Sequence, residues 1–399
     1  MTAPLPVRAV DTLMDRSLVL GYTRVGLRVR RALPGWPVDP APAALADRDV
    51  IVTGASSGLG IASAEGFAAL GATVHLVVRD EAKGGRVRDD IAARQPQARL
   101  RVWRCDVADL EDVRRFAREL ASEVPTLHAA IHNAGVMPPE RTESAQGHEL
   151  SMSVHLLGPV VMTEALLPQL SGGRVVLVSS GGLYGQRLRA DDPDFRRGDY
   201  SPTAAYARSK RMQVEMLALL ADRWSLAEVT TAAMHPGWVD TPGVQESLPR
   251  FRALTRALLR DEAGGADTSV WLAATQPAPP TAHFWHDRRA RPLNLVPITR
   301  ADESARATAW AWLRDAAGLE ATRRGGTDRF AQPDDQWKDP DASDDGSPAS
   351  SFPGAGRRVS DAEREAALAS ALPVDAEVSD NDDTDAAGSG AREVADDED

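Results

Sequence analysis

In the stretch YARSK, residues 206–210, a phenol and an ammonium stand four positions apart. On a helix that spacing puts Tyr206 and Lys210 on one face. A cation about 4 Å from a phenol is worth roughly 4 kcal/mol at an effective dielectric of about 20. At about 1.4 kcal/mol per pKa unit, that would bring the phenol from about 10 towards 7. A tyrosine so poised exchanges a proton at neutral pH. Taken alone, the pair reads more readily as a solvated helix face on which the two side chains never meet, so the surrounding elements decide.

Those elements are visible from residue 49 onward. Short apolar, β-branched runs at 49–54 (DVIVTG), 73–79 (TVHLVVR), 100–106 (LRVWRCD), 128–135 (HAAIHNAG), 174–180 (RVVLVSS) and 229–237 (VTTAAMHPG) read as buried strands. Helical stretches such as ASAEGFAALG, DVRRFARELAS and AYARSKRMQVEMLALLADRW lie between them. Strand and helix in alternation need crossover connections, hence a parallel sheet covered on both faces. Such a doubly wound α/β sheet binds ligands at the carboxyl ends of its strands. The run 282–287 (AHFWHD) is a candidate last strand, and 302–319 a closing helix.

The first strand runs into TGASSGLG, residues 53–60, and then into a helix. Gly54, Gly58 and Gly60 permit a tight turn and close approach of backbone to a pyrophosphate, while the helix N-terminus supplies N–H donors. Ser56, Ser57 and Leu59 complete the turn. This order of strand, turn and helix points to a dinucleotide. An NAD site carries an acid after the second strand for the ribose 2′-OH, and an NADP site a cation for the 2′-phosphate. Val78 stands where that acid belongs, Arg79 follows it and Lys83 is near, so NADP(H) is expected over NAD(H). Asp80 competes, because a shift of one position would make it the ribose acid.

Five motifs, TGASSGLG, HNAG (132–135), VSSGG (178–182), YARSK and HPGWVDT (235–241), occur in the order and near the spacing of the short-chain dehydrogenase/reductases, and the chain resembles that family over about residues 45–290. AMHPGWVDTPGV, EAGGADTSVWLA and the N-terminal lead-in extend the resemblance, within one branch of the family, to about residues 15–318. It implies a Rossmann-like, three-layer α/β/α fold with a sheet of about seven strands. It implies that Tyr206 is the catalytic acid/base, that Lys210 lowers its pKa and holds the nicotinamide ribose, and that Ser180, rather than Ser179, steadies the substrate oxygen. Asn133, Ala134 and Gly135 match the segment over the adenine side, Asp106 with Val107 the adenine contact, and Pro236, Gly237, Val239 and Thr241 the loop lining the nicotinamide and its phosphates. The chemistry agrees: hydride transfer leaves charge on the substrate oxygen, and a hydroxyl with a phenol of lowered pKa are donors suited to it. One position departs. The family usually has an asparagine in the helix after the NAG strand, as part of a proton relay to the lysine; here His155 stands there, in SVHLLG. Two readings of His155 are open, a working substitute and a core histidine.

Residues 243–262 resemble the segment that covers substrate in this fold, with Leu248, Phe251, Leu254, Leu258 and Leu259 available as an apolar lining. A lipophilic alcohol or carbonyl compound would suit it. The run between Ser180 and Tyr206 is longer than the minimal fold needs and reads as a surface excursion. His235, His283 and His286 are too scattered for a metal site, and none is expected.

The charge pattern sets the domain organisation. From Asp341 to Asp399 there are 17 acids against 4 arginines, while the whole chain is −12. The body is therefore almost neutral and lacks the basic block that nucleic acid requires. Residues 321–399 are expected to be a disordered acidic tail, residues 45–320 a catalytic domain and residues 1–44 an amphipathic extension. Within 11–33, apolar Leu13, Met14, Leu18, Leu20, Val25, Leu27 and Val29 accompany four arginines after residue 23. This segment either packs on the domain, the preferred reading, or lies on a membrane surface. The single cysteine, Cys105, suits a reducing compartment, and a cytoplasmic, optionally membrane-peripheral, protein is expected. A homo-oligomer is open. The rival to an enzyme is an NADP(H)-binding sensor acting through its tail, which would have no need of a proton donor.

Overall fold

The computed structural model describes residues 5–319 apart from 248. The acidic segment 321–399 lies outside the described residues, as do Leu248 and the side chain of Leu18. Strands β1 (Asp49–Thr53), β2 (Thr73–Val78), β3 (Arg99–Arg104), β4 (Ala129–His132), β5 (Arg174–Val178), β6 (Thr230–Met234), β7 (His283–His286) and β8 (Arg289–Arg291) form one eight-stranded sheet. Their order is β3-β2-β1-β4-β5-β6-β7-β8. All neighbours are parallel except β7 and β8, which are antiparallel. The winding reverses between β1 and β4, and there the crevice at the carboxyl edge opens.

Alternation along the strands divides the apolar residues between two cores. Val50 and Val52 of β1 join Phe67, Ile91 and Trp271 on one face, and Ile51 joins Phe116, Leu156 and Trp310 on the other. Helices Gly58–Ala69 and Glu262–Ala274 pack together over the first face, and Leu110–Glu123 packs with Gly158–Ala165 over the second. The caps are those the sequence offers. Asp80, Asp109, Ser201, Asp261 and Asp302 each accept an N–H from the first turn of the helix that follows.

The expected sheet of about seven strands gains an eighth. β8 is three residues long, too short to show a period. The turn into it places Asp287 and Arg288 at φ of 52° and 57°, the left-handed region, without the Asn-Gly or Asp-Gly pair that marks such turns.

The N-terminal segment packs on the domain. Helices Leu5–Arg16, Leu18–Tyr22 and Arg24–Ala32 bury Met14, Tyr22, Leu27 and Arg30. Arg30 reaches Asp11 at 2.8 Å and Asp287 at 2.6 Å, Arg260 reaches Asp287 at 2.6 Å, and Arg291 reaches Asp11 at 2.8 Å and Asp15 at 3.3 Å. Three buried arginines and three aspartates thus meet in one network, with the less buried Arg289 at its edge, 3.9 Å from Asp11. A buried ion is tolerated only with such partners. Four residues of the amphipathic pattern face outward: Leu13 is 69 % exposed, Leu20 51 %, Val25 44 % and Val29 40 %.

The run after Ser180 is less of an excursion than expected. Phe195, Asp192 and Asp194 are buried, Tyr184 donates its hydroxyl to the Pro292 carbonyl at 2.8 Å, and Arg141 donates to the carbonyls of Asp194 and Phe195.

Candidate active site

The candidate residues lie around the carboxyl edge of β1 to β6. At the end of β1, Thr53 accepts the backbone N–H groups of Asn133 and Ala134, each at 3.0 Å, and the Asn133 amide donates back to the Thr53 carbonyl at 3.0 Å. Gly54 has φ of +65°, and a Cβ there would lie 2.8 Å from the Ala134 Cα; one on Gly60 would lie 2.2 Å from the Gly54 carbonyl oxygen. The turn therefore closes only on glycine. Helix Gly58–Ala69 starts at its end, and Ser57, at the cap position, makes no side-chain cap bond. The first-turn N–H groups of a helix lack intrahelical partners, and with no Ser57 side-chain cap they suit a pyrophosphate. Ser56 is half-buried in the turn, and Leu59 packs towards Gly265.

Further round the edge, Asp106 is half-buried and accepts the Ala108 N–H at 3.0 Å, while Val107 is buried with its carbonyl against Gly158. Arg79 is exposed just beyond β2. Asp80 caps the helix Glu81–Arg94, accepting the Lys83 N–H at 2.9 Å. Its carboxylate thus has a local task. The loop after β6 returns to the glycine turn: a Cβ on Gly58 would touch the Thr241 side chain at 3.3 Å. Val239 is buried in that loop, in a parallel bridge with Arg260.

Tyr206 and Lys210 lie one turn apart on helix Pro202–Glu215, which begins at a Ser-Pro start. Lys210 is buried and donates to the Val178 carbonyl, the last of β5, at 2.7 Å. Ser179 hydrogen-bonds the Lys210 carbonyl at 3.4 Å and so ties strand to helix. Ser180 accepts the Gly182 N–H at 3.3 Å and is the serine that acts on the Tyr206 phenol, favouring its ionised form. The Lys210 nitrogen stands 5.7 Å from the centre of the Tyr206 ring.

The electrostatics differ from the estimate made on spacing alone. Burial raises the Tyr206 phenol above its ordinary value, with the Ser180 hydrogen bond opposing. Burial also lowers the Lys210 ammonium to about 7. Burial and Ser180, not Lys210, set the shift of the phenol, and desolvation weakens the charged form of the lysine itself.

His155 sits in a π-helical turn, Ser153–Leu157, with its ring 5.1 Å from that of Tyr206. Its Nε2 accepts the Val136 N–H at 3.0 Å, so the proton of the neutral ring is on Nδ1, which donates to Ser209 Oγ at 2.7 Å. Ser209 in turn donates to the Tyr206 carbonyl at 2.7 Å. Burial and the nearby Lys210 hold the imidazole well below its usual range, and therefore neutral. Both ring nitrogens have fixed partners. The His155 carbonyl accepts the Gln213 amide at 2.6 Å. Gln213 was not singled out from the sequence, although it follows Tyr206 by seven residues and so shares its helix face.

The proposed lid divides. Phe251 packs edge-on against Trp238 with ring centres 5.2 Å apart and Leu259 is buried, whereas Leu254 is 85 % exposed and does not line the interior. Of the scattered histidines, His235 and His286 stack at 4.0 Å beneath the loop, and burial keeps both uncharged.

A doubly wound sheet with a glycine turn at its switch point and a serine, tyrosine and lysine at the next strand end defines a dinucleotide-dependent oxidoreductase. The family model for short chain dehydrogenase matches residues 48–192. Dehydrogenase/reductase SDR family member 12 of Bos taurus is 39 % identical over 264 residues, 64 % of this chain and 81 % of that protein. Retinol dehydrogenase 11 of Mus musculus is 33 % identical, covering 57 % of this chain and 73 % of that one. A solved structure from Mycobacterium paratuberculosis aligns with a TM-score of 0.55 at 30 % identity, over 71 % of this chain and 99 % of that one. A short chain dehydrogenase from Shigella flexneri, complexed with NADP, aligns with a TM-score of 0.51 at 25 % identity, over 62 % and 100 %. The chain belongs to the short-chain dehydrogenase/reductase family and is an NAD(P)-dependent oxidoreductase acting on alcohol or carbonyl groups. Within the family it groups with the member twelve branch, the branch anticipated from its motifs and N-terminal lead-in.

Proposed function

We propose that the chain is an NADP(H)-dependent oxidoreductase of a lipophilic alcohol or carbonyl compound, with Tyr206 as the proton-transferring group. The observation that carries this reading is that Tyr206, with Ser180 acting on its phenol, shares a helix with a buried Lys210 whose nitrogen lies 5.7 Å from the centre of the phenol ring and is anchored to the end of β5. When bound, the nicotinamide supplies or accepts the hydride. Ser180 and Tyr206 present two hydroxyls to the substrate oxygen, and Tyr206 gives its proton to it in reduction or takes one in oxidation. Lys210, in its charged form, favours the phenolate and offers N–H groups to the ribose. His155 acts here as a positioning residue: through Ser209 it holds the backbone of Tyr206.

The preference for NADP(H) is supported by Arg79, a cation beside the ribose end, and by Asp80, whose carboxylate is occupied as a cap. The NADP complex of the Shigella relative is consistent with it. The lipophilic substrate class is supported by Phe251 and Leu259 in the lid and by the names of two relatives, a retinol dehydrogenase and a polyprenol dehydrogenase.

The outward face of the N-terminal segment supports peripheral contact with an anionic membrane surface. Its aliphatic residues Leu13, Leu20, Val25 and Val29 lie among the exposed Arg24 and Arg28, while Asp11 and Asp15 are buried in the ion network. Among the described residues no helix is long and apolar enough to cross a membrane. A cytoplasmic placement is part of the same reading. Sedimentation with phosphatidylserine vesicles, but not with phosphatidylcholine vesicles, is the expected result. A dimer by light scattering with no vesicle binding would assign the face to a second copy.

The test of the activity is the Tyr206→Phe variant. It should bind NADPH as the wild type does and lose turnover by about 10²–10⁴-fold. Full turnover would remove Tyr206 from the chemistry. Tight NADPH binding by the wild type, without turnover on any ketone or aldehyde, would favour the sensor reading.

A further inference from the structure

Arg260 is a fully buried arginine at the end of the lid, and its guanidinium is spent on backbone carbonyls of two other segments. Nε donates to the Tyr22 carbonyl at 3.0 Å, Nη2 to the Gly21 carbonyl at 3.0 Å and Nη1 to the Pro236 carbonyl at 3.2 Å. Asp287 holds the guanidinium from beyond, at 2.6 and 2.9 Å, and shares its other charge contact with Arg30 of the N-terminal segment at 2.6 Å. The main chain joins as well. Arg260 N–H donates to the Trp238 carbonyl at 2.7 Å, Asp240 N–H to the Arg260 carbonyl at 3.1 Å, Trp238 N–H to the Tyr22 carbonyl at 2.8 Å and Arg24 N–H to the Leu258 carbonyl at 2.9 Å.

The glycine of HPGWVDT is shaped to this side chain. Gly237 has φ of +81°, and a Cβ there would lie 2.4 Å from Arg260 Nε and 2.8 Å from the Tyr22 carbonyl oxygen. Next to it the buried Tyr22 ring closes on the turn after the catalytic serine, since a Cβ on Gly181 would lie 2.9 Å from the Tyr22 Cε2. The N-terminal segment therefore meets both the loop after β6 and the residue after Ser180.

We propose that Arg260 is a positioning residue that fixes the loop 236–241 for the nicotinamide half of the dinucleotide, and that the N-terminal segment, through Gly21, Tyr22 and Arg30, is a working part of the site. This rests on the reading that the loop lines the nicotinamide. Arg260 itself touches neither substrate nor cofactor in this account. It converts the packing of a segment more than two hundred residues away in sequence into the shape of the cofactor loop.

The test is calorimetric titration of the full chain with NADPH and with adenosine 2′,5′-bisphosphate, a probe for the adenine half alone. In Arg260→Lys the charge beside Asp287 is kept, but an ammonium cannot reach the three carbonyls together. NADPH affinity should fall by about tenfold or more, while the bisphosphate binds as in the wild type. Equal loss for both ligands, or no loss for either, overturns the proposal. If Arg260→Lys does not fold, Gly237→Ala decides, because it leaves every charge in place and sets a methyl group against the guanidinium. The same split supports the clamp, and its absence overturns it. Wild-type protein that binds neither ligand would instead overturn the cofactor reading, and this inference with it.

Discussion

At the scale of single residues, the site's chemistry turns on two desolvated groups. Lys210 is lowered to about 7 by burial, so near neutrality its charged form is only partly populated. An unfolded lysine titrates near 10.4. Between these values the unfolded chain holds a proton that the folded one does not, so this residue's contribution to stability rises with pH across that window. Cofactor binding should run the other way. If the ammonium holds the ribose, NADPH affinity falls above pH 7 by up to about tenfold per pH unit, and the Lys210→Met variant shows a weaker, flat profile. A flat profile in the wild type would show that the charge of Lys210 is not used. Arg79 and Asp80 divide the question of cofactor choice. Arg79→Ser should lower NADPH affinity by about tenfold or more with NADH unchanged, since a charge-assisted hydrogen bond is worth about 1.5–3 kcal/mol. Asp80→Ala should cost about 1 kcal/mol of stability as a lost cap and leave the preference intact. A change of preference in Asp80→Ala would make it the ribose acid after all.

At the scale of elements, what was legible followed from how local the signal is. Strands β1 to β6 announce themselves by apolar, β-branched runs and β7 by its Phe-Trp pair, and the glycine turn, the serine after β5 and the Tyr-Lys helix each lie within a few residues of the strand or cap that positions them. Gln213 was equally legible from its helical spacing, although only its bond to the His155 carbonyl gives it a meaning. β8 was hidden by its length and by an Asp-Arg turn. The ion network was hidden for another reason: Arg30 and Asp287 are 257 positions apart, and no local pattern pairs them. The amphipathic pattern of residues 11–33 could not say which apolar residues turn inward, and the fold divides them, with Met14 and Leu27 inside and Leu13 and Leu20 outside. The network makes this segment part of the fold's stability. Arg30→Met leaves Asp11 and Asp287 buried with fewer partners, and removing one member of a buried ion pair costs about 3–5 kcal/mol. A marked fall in melting temperature is expected. An unchanged melting temperature would mean that the segment is not docked in solution.

At the scale of the molecule, five buried histidines set the response to acid, and burial lowers His75 among them. Burial lowers His132 and His286 to about 3, and His155 and His235 well below their usual range. In the unfolded chain each titrates near 6.5. The stability they contribute is therefore complete above about pH 6.5 and is lost progressively as pH falls towards the folded values. Urea unfolding midpoints should drop between about pH 6.5 and 4, before most carboxylates protonate. A midpoint constant over that range would contradict the buried, neutral state of these rings.

The central claim, that the chain transfers hydride with Tyr206 handling the proton, is met most directly by one paired measurement. Wild-type and Tyr206→Phe protein are titrated with NADPH by fluorescence and then followed for NADPH oxidation with a panel of apolar ketones and aldehydes. Equal NADPH binding by both proteins and turnover by the wild type alone are expected. Equal turnover by both, or failure of the wild type to bind NADPH, would contradict it.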